Sequence, residues 1–235
     1  MSLVVIFFLI RKRHKAKVKK SNDILSNYSH IVEQTKSDVP NALNEIEKIL
    51  DDIRSHIRGI DKEVFSRRNE LLIAIRLVEA FRIFNWIKVC LACASYQSVF
   101  RELRFMLDGV AQACYIDLNH FDASLVSKLE VYKALGDTGG FIGSSLFDRI
   151  KGFQKKQILK DLYAELSRFV HPSIEESRRW IEYTPPKELV DSLKFNKFDR
   201  ELLDQAINKC EEVGRLLILI DGHFIKEFLS KIQSK

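Results

Sequence analysis

Apolar residues recur at intervals of three and four along most of this chain, and almost nowhere at intervals of two. Ala42, Leu43, Ile46, Ile49, Leu50, Ile53 and Ile57 form one stripe that stops at Gly59. That spacing predicts an amphipathic helix, with Pro40 suited to its first turn and Gly59 to its end. Asp61 is placed to cap a second helix running to about residue 94. Its later part, LLIAIRLVEAFRIFNWIKVCLACA, is apolar nearly all round. This predicts a helix enclosed by others, at the centre of the fold. Ser95 opens a helix to about 118, with Val99, Phe100, Leu103, Met106, Leu107, Val110 and Cys114 on its inner face. Asp122 starts a shorter one to about 135. Residues 146–170 read as helical with an interruption near Gly152, and the last long helix covers about 198–232. The expected fold is all-α, a multi-helix bundle.

Ahead of the bundle the pattern changes. MSLVVIFFLI is followed directly by RKRHKAKVKK, which carries seven Lys or Arg. Removing those seven charges from the net +6 leaves residues 21–235 at −1, so the basic character belongs to the arm. Residues 1–38 are therefore read as an apolar/basic arm and linker helix, with Ile24, Leu25, Tyr28, Ile31 and Val32 at helical spacing, and 39–235 as the helical domain. The apolar-then-basic order is the reverse of a secretory signal, and 3–10 is shorter than the roughly 20 residues of a bilayer span. Three readings stay open: an interfacial anchor on anionic lipid, the end of a longer membrane helix, or an arm with no membrane role.

Cysteine usage changes the picture little. Cys90 and Cys93 have a metal-ligand spacing but sit in an apolar run with no second ligand pair. They read as core thiols, which fits an intracellular, cytoplasmic location, at the inner membrane face if the arm is an anchor. No metal or cofactor is expected. GDTGGFIGSS, 136–145, lacks the Lys-Ser/Thr ending of a phosphate loop and follows no strand, so it reads as a turn.

Two polar sets carry candidate chemistry. Arg76, Glu79 and Arg82 are three apart on the long apolar helix, which reads first as a partly exposed ion-pair row and otherwise as a polar floor beneath a pocket. Gln97, Arg101, Arg104, Asp108 and Gln112 share a polar stripe on the far side of their helix that reads first as a solvated face, and on which Arg101 and Arg104 are candidates for binding phosphate.

The remaining candidate is LYAELSRFVHPS, 162–173. Ile158, Leu159, Leu162, Tyr163, Leu166, Phe169 and Val170 share one face, and Arg168 falls opposite. Pro172 ends the helix near His171, and Ser173 with Glu176 makes a capping box for the next one. The run Tyr163-x-x-Leu166-Ser167-x-x-Val170-His171-x-Ser173, with Ser98-Val99-Phe100-Arg101-Glu102-Leu103 on an earlier helix, resembles the signature of prokaryotic helical families in the HEPN-like superfamily. The resemblance covers roughly 70–225 and implies a HEPN-like bundle. Active members are metal-independent ribonucleases of toxin or antiviral systems that work as dimers. They use an Arg followed by four to six residues and a His. The resemblance thus marks His171 and Arg168 as catalytic candidates and Tyr163, Ser167, Arg101 and Arg104 as binding candidates. In such a site the Arg steadies phosphorane charge and the His moves a proton. Arg168, however, is separated from His171 by two residues, and Ala164, Glu165 and Leu166 occupy the family's Arg positions. Two functions follow. One is a binding or interaction module, with the arm as a membrane tether. The alternative is a HEPN-type ribonuclease, for which the partners would be RNA and a second copy of the chain.

Overall fold

The structure is a computed structural model and describes residues 26, 29–31, 33, 38–137, 145–170 and 198–234. Among them there are helices and no strands. In chain order they are α1 (Asp38–Arg58), α2 (Lys62–Ser66), a 3-10 turn (Arg68–Glu70), α3 (Leu72–Ala92), α4 (Tyr96–Asn119), α5 (Leu125–Asp137), α6 (Ser145–Arg149), α7 (Lys156–Val170) and α8 (Arg200–Gln233). The all-α bundle expected from the spacing is what forms. Residues 1–20, the segment 138–144, His171-Pro172 and the capping box at 173–176 lie outside the described residues.

The centre of the bundle is α4, where the apolar pattern pointed to α3. Residues 109–111, 113, 114, 116 and 117 of α4 are all buried, which is more than one face of a helix. Helices α3, α5, α6, α7 and α8 all pack against it. The correction to α3 is specific. Its inner face, with Phe84, Ile87 and Leu91, is sealed in the core. Its outer face leaves Ile75 46 %, Val78 59 %, Trp86 51 % and Val89 48 % exposed. An all-round apolar helix reads as enclosed because burial is the ordinary way to satisfy it. Here one side has no cover among the described residues.

The helix expected over 61–94 is also broken in two. Asp61 does cap, accepting a hydrogen bond from Glu63 N–H at 2.8 Å, but the helix it opens ends at Ser66. The chain restarts at Leu72 because α4 supplies the cap: Asp117 Oδ2 accepts from Ile73 N–H at 2.9 Å. Lys128 of α5 lies 3.0 Å from Asp117 and donates to the Glu70 carbonyl at 2.9 Å, and both ionic side chains are fully buried. The orphan donors of a helix start are thus met by a side chain 44 residues away, beyond the reach of local pattern reading. Likewise α5 starts at Leu125, with Ser124 Oγ accepting from Ser127 N–H at 3.2 Å, in place of Asp122.

The outer layer is set by α1 against α8. Gly214 permits their closeness, since a Cβ there would lie 2.5 Å from Ile49 Cγ2. His56 Nε2 meets the buried Asp221 Oδ2 at 2.7 Å, and Arg200 pairs with Asp38 at 2.6 Å, so α1 is pinned to α8 near both of its own ends. Ile31, from the expected linker helix, is buried in the same core. Gly152, at φ 76°, makes the interruption between α6 and α7, a backbone region that glycine enters without strain.

Candidate functional site

Two places bring polar and apolar groups together in a way that bears on function. The first is the seam between α4 and α7, where most of the sequence candidates fall. The apolar stripe of α7 buries Leu159, Leu162, Tyr163 and Leu166. Phe169 stacks on Phe100 of α4, centroids 3.9 Å apart and planes 18° apart. That stack fixes α7 over the polar stripe of α4. Arg104 Nη2 donates to the Tyr163 hydroxyl at 2.8 Å, and its guanidinium lies 4.9 Å from the Tyr163 ring centroid. Tyr163 also meets Phe147 edge-on at 5.4 Å.

Asp108 completes this cluster, one helical turn beyond Arg104. Burial lifts its carboxyl to about 6, against the pull of Arg104 and a hydrogen bond with Tyr163. Burial raises the Tyr163 phenol as well, opposed by the Arg104 hydrogen bond. The stripe expected to face solvent is therefore covered where Arg104 and Asp108 sit. The other candidates are not gathered there. Arg101 is exposed, with Glu102 at 3.2 Å, and Arg168 is exposed on the outer side of α7. Ser167 turns back on its own helix and donates to the Tyr163 carbonyl at 2.7 Å. His171 lies outside the described residues, so the seam presents an Arg–Tyr–Asp cluster and no described proton shuttle. Its chemistry is that of a polar clamp in which Arg104 Nε and Asp108 Oδ1 are buried with no hydrogen-bond partner among the described residues.

The second place is a groove on the uncovered face of α3. One wall is α3, with Leu72, Ile75, Val78 and Arg82; the other is α5, with Leu125, Leu129 and Tyr132. Ala113 of α4 lies between them, and the space is about 770 Å³. Leu129 is 48 % exposed, matching Ile75 and Val78 across the groove. Arg76 spans from one wall to the other: it pairs with Glu79 and donates to the Tyr132 hydroxyl at 2.9 Å. Gly109 makes room for this, since a Cβ there would come 3.3 Å from Arg76 Cδ. Arg68 stands at one end, donating to the Phe65 carbonyl at 3.1 Å. Arg82 stands at the other and makes no ion pair with the described residues. The groove thus has an apolar bed and three arginines against one glutamate.

Arg76 and Glu79 form the partly exposed ion pair expected of this row, Arg82 does not join it, and the three side chains line a groove whose bed is apolar rather than a polar floor. Sequence reasoning missed Leu129 and Tyr132. The only signal for them was that α5 has apolar residues on two sides, with Val126 67 % exposed.

Beside the groove, a smaller apolar cleft of about 120 Å³ continues past Val78 toward Val64, Phe65 and Leu77. Among the described residues no cluster of three or more His, Cys, Asp or Glu could hold a metal ion. Burial, with help from Glu102, pushes the Cys90 thiol up to about 11, as suits a core thiol. No helix among the described residues is long and apolar enough to cross a membrane. No family model matches the chain, and comparisons with curated proteins and with solved structures find no match.

Proposed function

We propose that this protein is a helical-bundle interaction module whose binding surface is the groove between α3 and α5. The observation that carries the reading is the uncovered apolar bed: Ile75, Val78 and Leu129 are each about half exposed around a space of some 770 Å³. Leaving large aliphatic side chains in water costs free energy that covering them returns, at roughly 25 cal/mol per Å². A contiguous apolar patch rimmed by charge is the usual mark of an interaction surface. The test uses an apolar fluorescent anion, 8-anilinonaphthalene-1-sulfonate, on the full chain. It binds the folded protein, and Val78→Asp or Leu129→Asp weakens that binding at least about fivefold while leaving the thermal midpoint near wild type, since exposed substitutions perturb folding little. Unchanged dye binding in both variants would defeat the reading. Within it, residues 1–20 serve as a tether to anionic membrane. Flotation with anionic vesicles checks this by comparing the chain with one whose Lys and Arg at 11–20 are changed to Gln.

A second reading, a metal-independent HEPN-type ribonuclease, is favoured by one observation. Arg104 of α4 is held on α7 at Tyr163, eight residues before His171 in the chain. An arginine from a neighbouring helix could replace the missing one. RNA cleavage without metal, lost in His171→Ala, is its expected result.

A further inference from the structure

The groove has a polarity that narrows what can fill it, and this inference rests on the interaction-module reading above. We propose that its occupant is an acidic amphipathic helix of a partner protein, laid between α3 and α5 against Ala113. The shape supports a helix. From Leu72 to Arg82 the α3 wall is eleven residues, a rise of about 15 Å, or close to three helical turns. The two walls are themselves helices over a small residue, the arrangement into which a further helix packs by setting its ridge between theirs. Ile75, Val78 and Leu129 then meet the apolar face of the incoming helix.

The charge decides its flanks. Arg68, Arg76 and Arg82 line the groove against Glu79 alone, and Glu79 is already paired with Arg76. Arg82 has no ion-pair partner among the described residues and stands 7 positions from Ile75, on the same side of α3. Carboxylates on the occupant would answer Arg82 and Arg68 at the two ends. The same rim argues against the other occupants. The chain's own apolar segment, 3–10, is followed by seven basic residues, which the arginines repel. A second copy would bring one arginine rim to another.

The experiment uses the full chain and two 21-residue peptides, both with Leu at heptad positions a and d. One carries Glu at e and g, the other Lys; like charges there keep each from pairing with itself. Binding is followed by fluorescence anisotropy of a labelled peptide. The Glu peptide binds, weakening as salt rises, and the Lys peptide binds at least about tenfold more weakly. Arg82→Glu weakens the Glu peptide about tenfold, because one attraction is lost and one repulsion gained, and improves the Lys peptide. Val78→Asp abolishes both.

Equal binding of the two peptides, lost in Val78→Asp, would overturn the acidic occupant and leave the groove reading standing. So would failure of both peptides in a chain that self-associates in sedimentation and becomes monomeric with Val78→Asp, which would make a second copy the occupant. Failure of both peptides, with no effect of Val78→Asp on self-association, would overturn the occupant and the groove reading together.

Discussion

The half-buried Asp108 and the fully buried Lys128 show how two ionisable groups can differ in what they do. Asp108 is ionisable inside the α4/α7 seam, and burial holds its carboxyl up at about 6. The folded state therefore keeps the proton between about pH 4 and 6, where an unfolded chain has released it. The stability this group contributes is full below about pH 4 and is lost as pH rises through 6. Urea unfolding of wild type and Asp108→Asn across pH 4–7 checks this. Wild type should lose about 2 kcal/mol relative to the variant over that range, and parallel curves would contradict it. Lys128 is different, because its ammonium compensates a carboxylate that caps α3. Burial raises the Asp117 carboxyl, with Lys128 and the Ile73 N–H opposing. Lys128→Met leaves that carboxylate alone in the core and should cost about 3–5 kcal/mol in urea unfolding. Adding Asp117→Asn should recover part of the loss, since the amide oxygen still accepts from Ile73. A single-variant cost under about 1 kcal/mol would contradict the capping role.

At the scale of elements, helix spacing is set as much by what is missing as by what is packed. Gly214 lets α8 close on Ile49 of α1, with no room for a Cβ. Alanine would gain up to about 1 kcal/mol of helix propensity, yet overpacking costs about 1–3 kcal/mol. Gly214→Ala should therefore destabilise by roughly 1–2 kcal/mol in thermal unfolding. In an Ile49→Ala background, where the Cγ2 methyl is absent, the same change should be neutral or stabilising. If it destabilises equally in both, the contact is not what spaces the helices.

The helices themselves were legible from spacing alone: the α1 stripe, the inner face of α4 and the break at Gly152 all lie where the pattern puts them. The starts of α3 and α5 were not. The first is capped by Asp117 across the core, and at the second Ser124 does what Asp122 was placed to do.

At the scale of the whole molecule, the described helices set a tied side against an apolar one. On the first, His56–Asp221 and Arg200–Asp38 hold α1 to α8 beside a charge-lined cleft of about 180 Å³, whereas the α3 and α5 face presents aliphatic side chains among arginines. That contrast could not be read in the chain. An all-round apolar helix such as LLIAIRLVEAFRIFNWIKV is compatible with full enclosure or with one free face, and only the placement of its neighbours decides. The candidate site divides in the same way. Arg104 and Tyr163 were named from sequence and do meet, but the spacing of α4 residues gave no hint that Asp108 would be covered. The Arg76–Glu79–Arg82 row was visible as a charge pattern, while its opposite wall, Leu129 and Tyr132, lies some fifty residues further along and has no pattern in common with it.

Binding at the α3/α5 groove, as proposed, is read out residue by residue in methyl NMR of the full chain titrated with the Glu-flanked helical peptide. The methyls of Ile75, Val78, Leu125 and Leu129 should shift together with saturation, while those of Ile49 and Ile218 on the α1/α8 side stay in place. Shifts gathered on the α1/α8 side or at the α4/α7 seam, with Val78 and Leu129 unmoved, would contradict it.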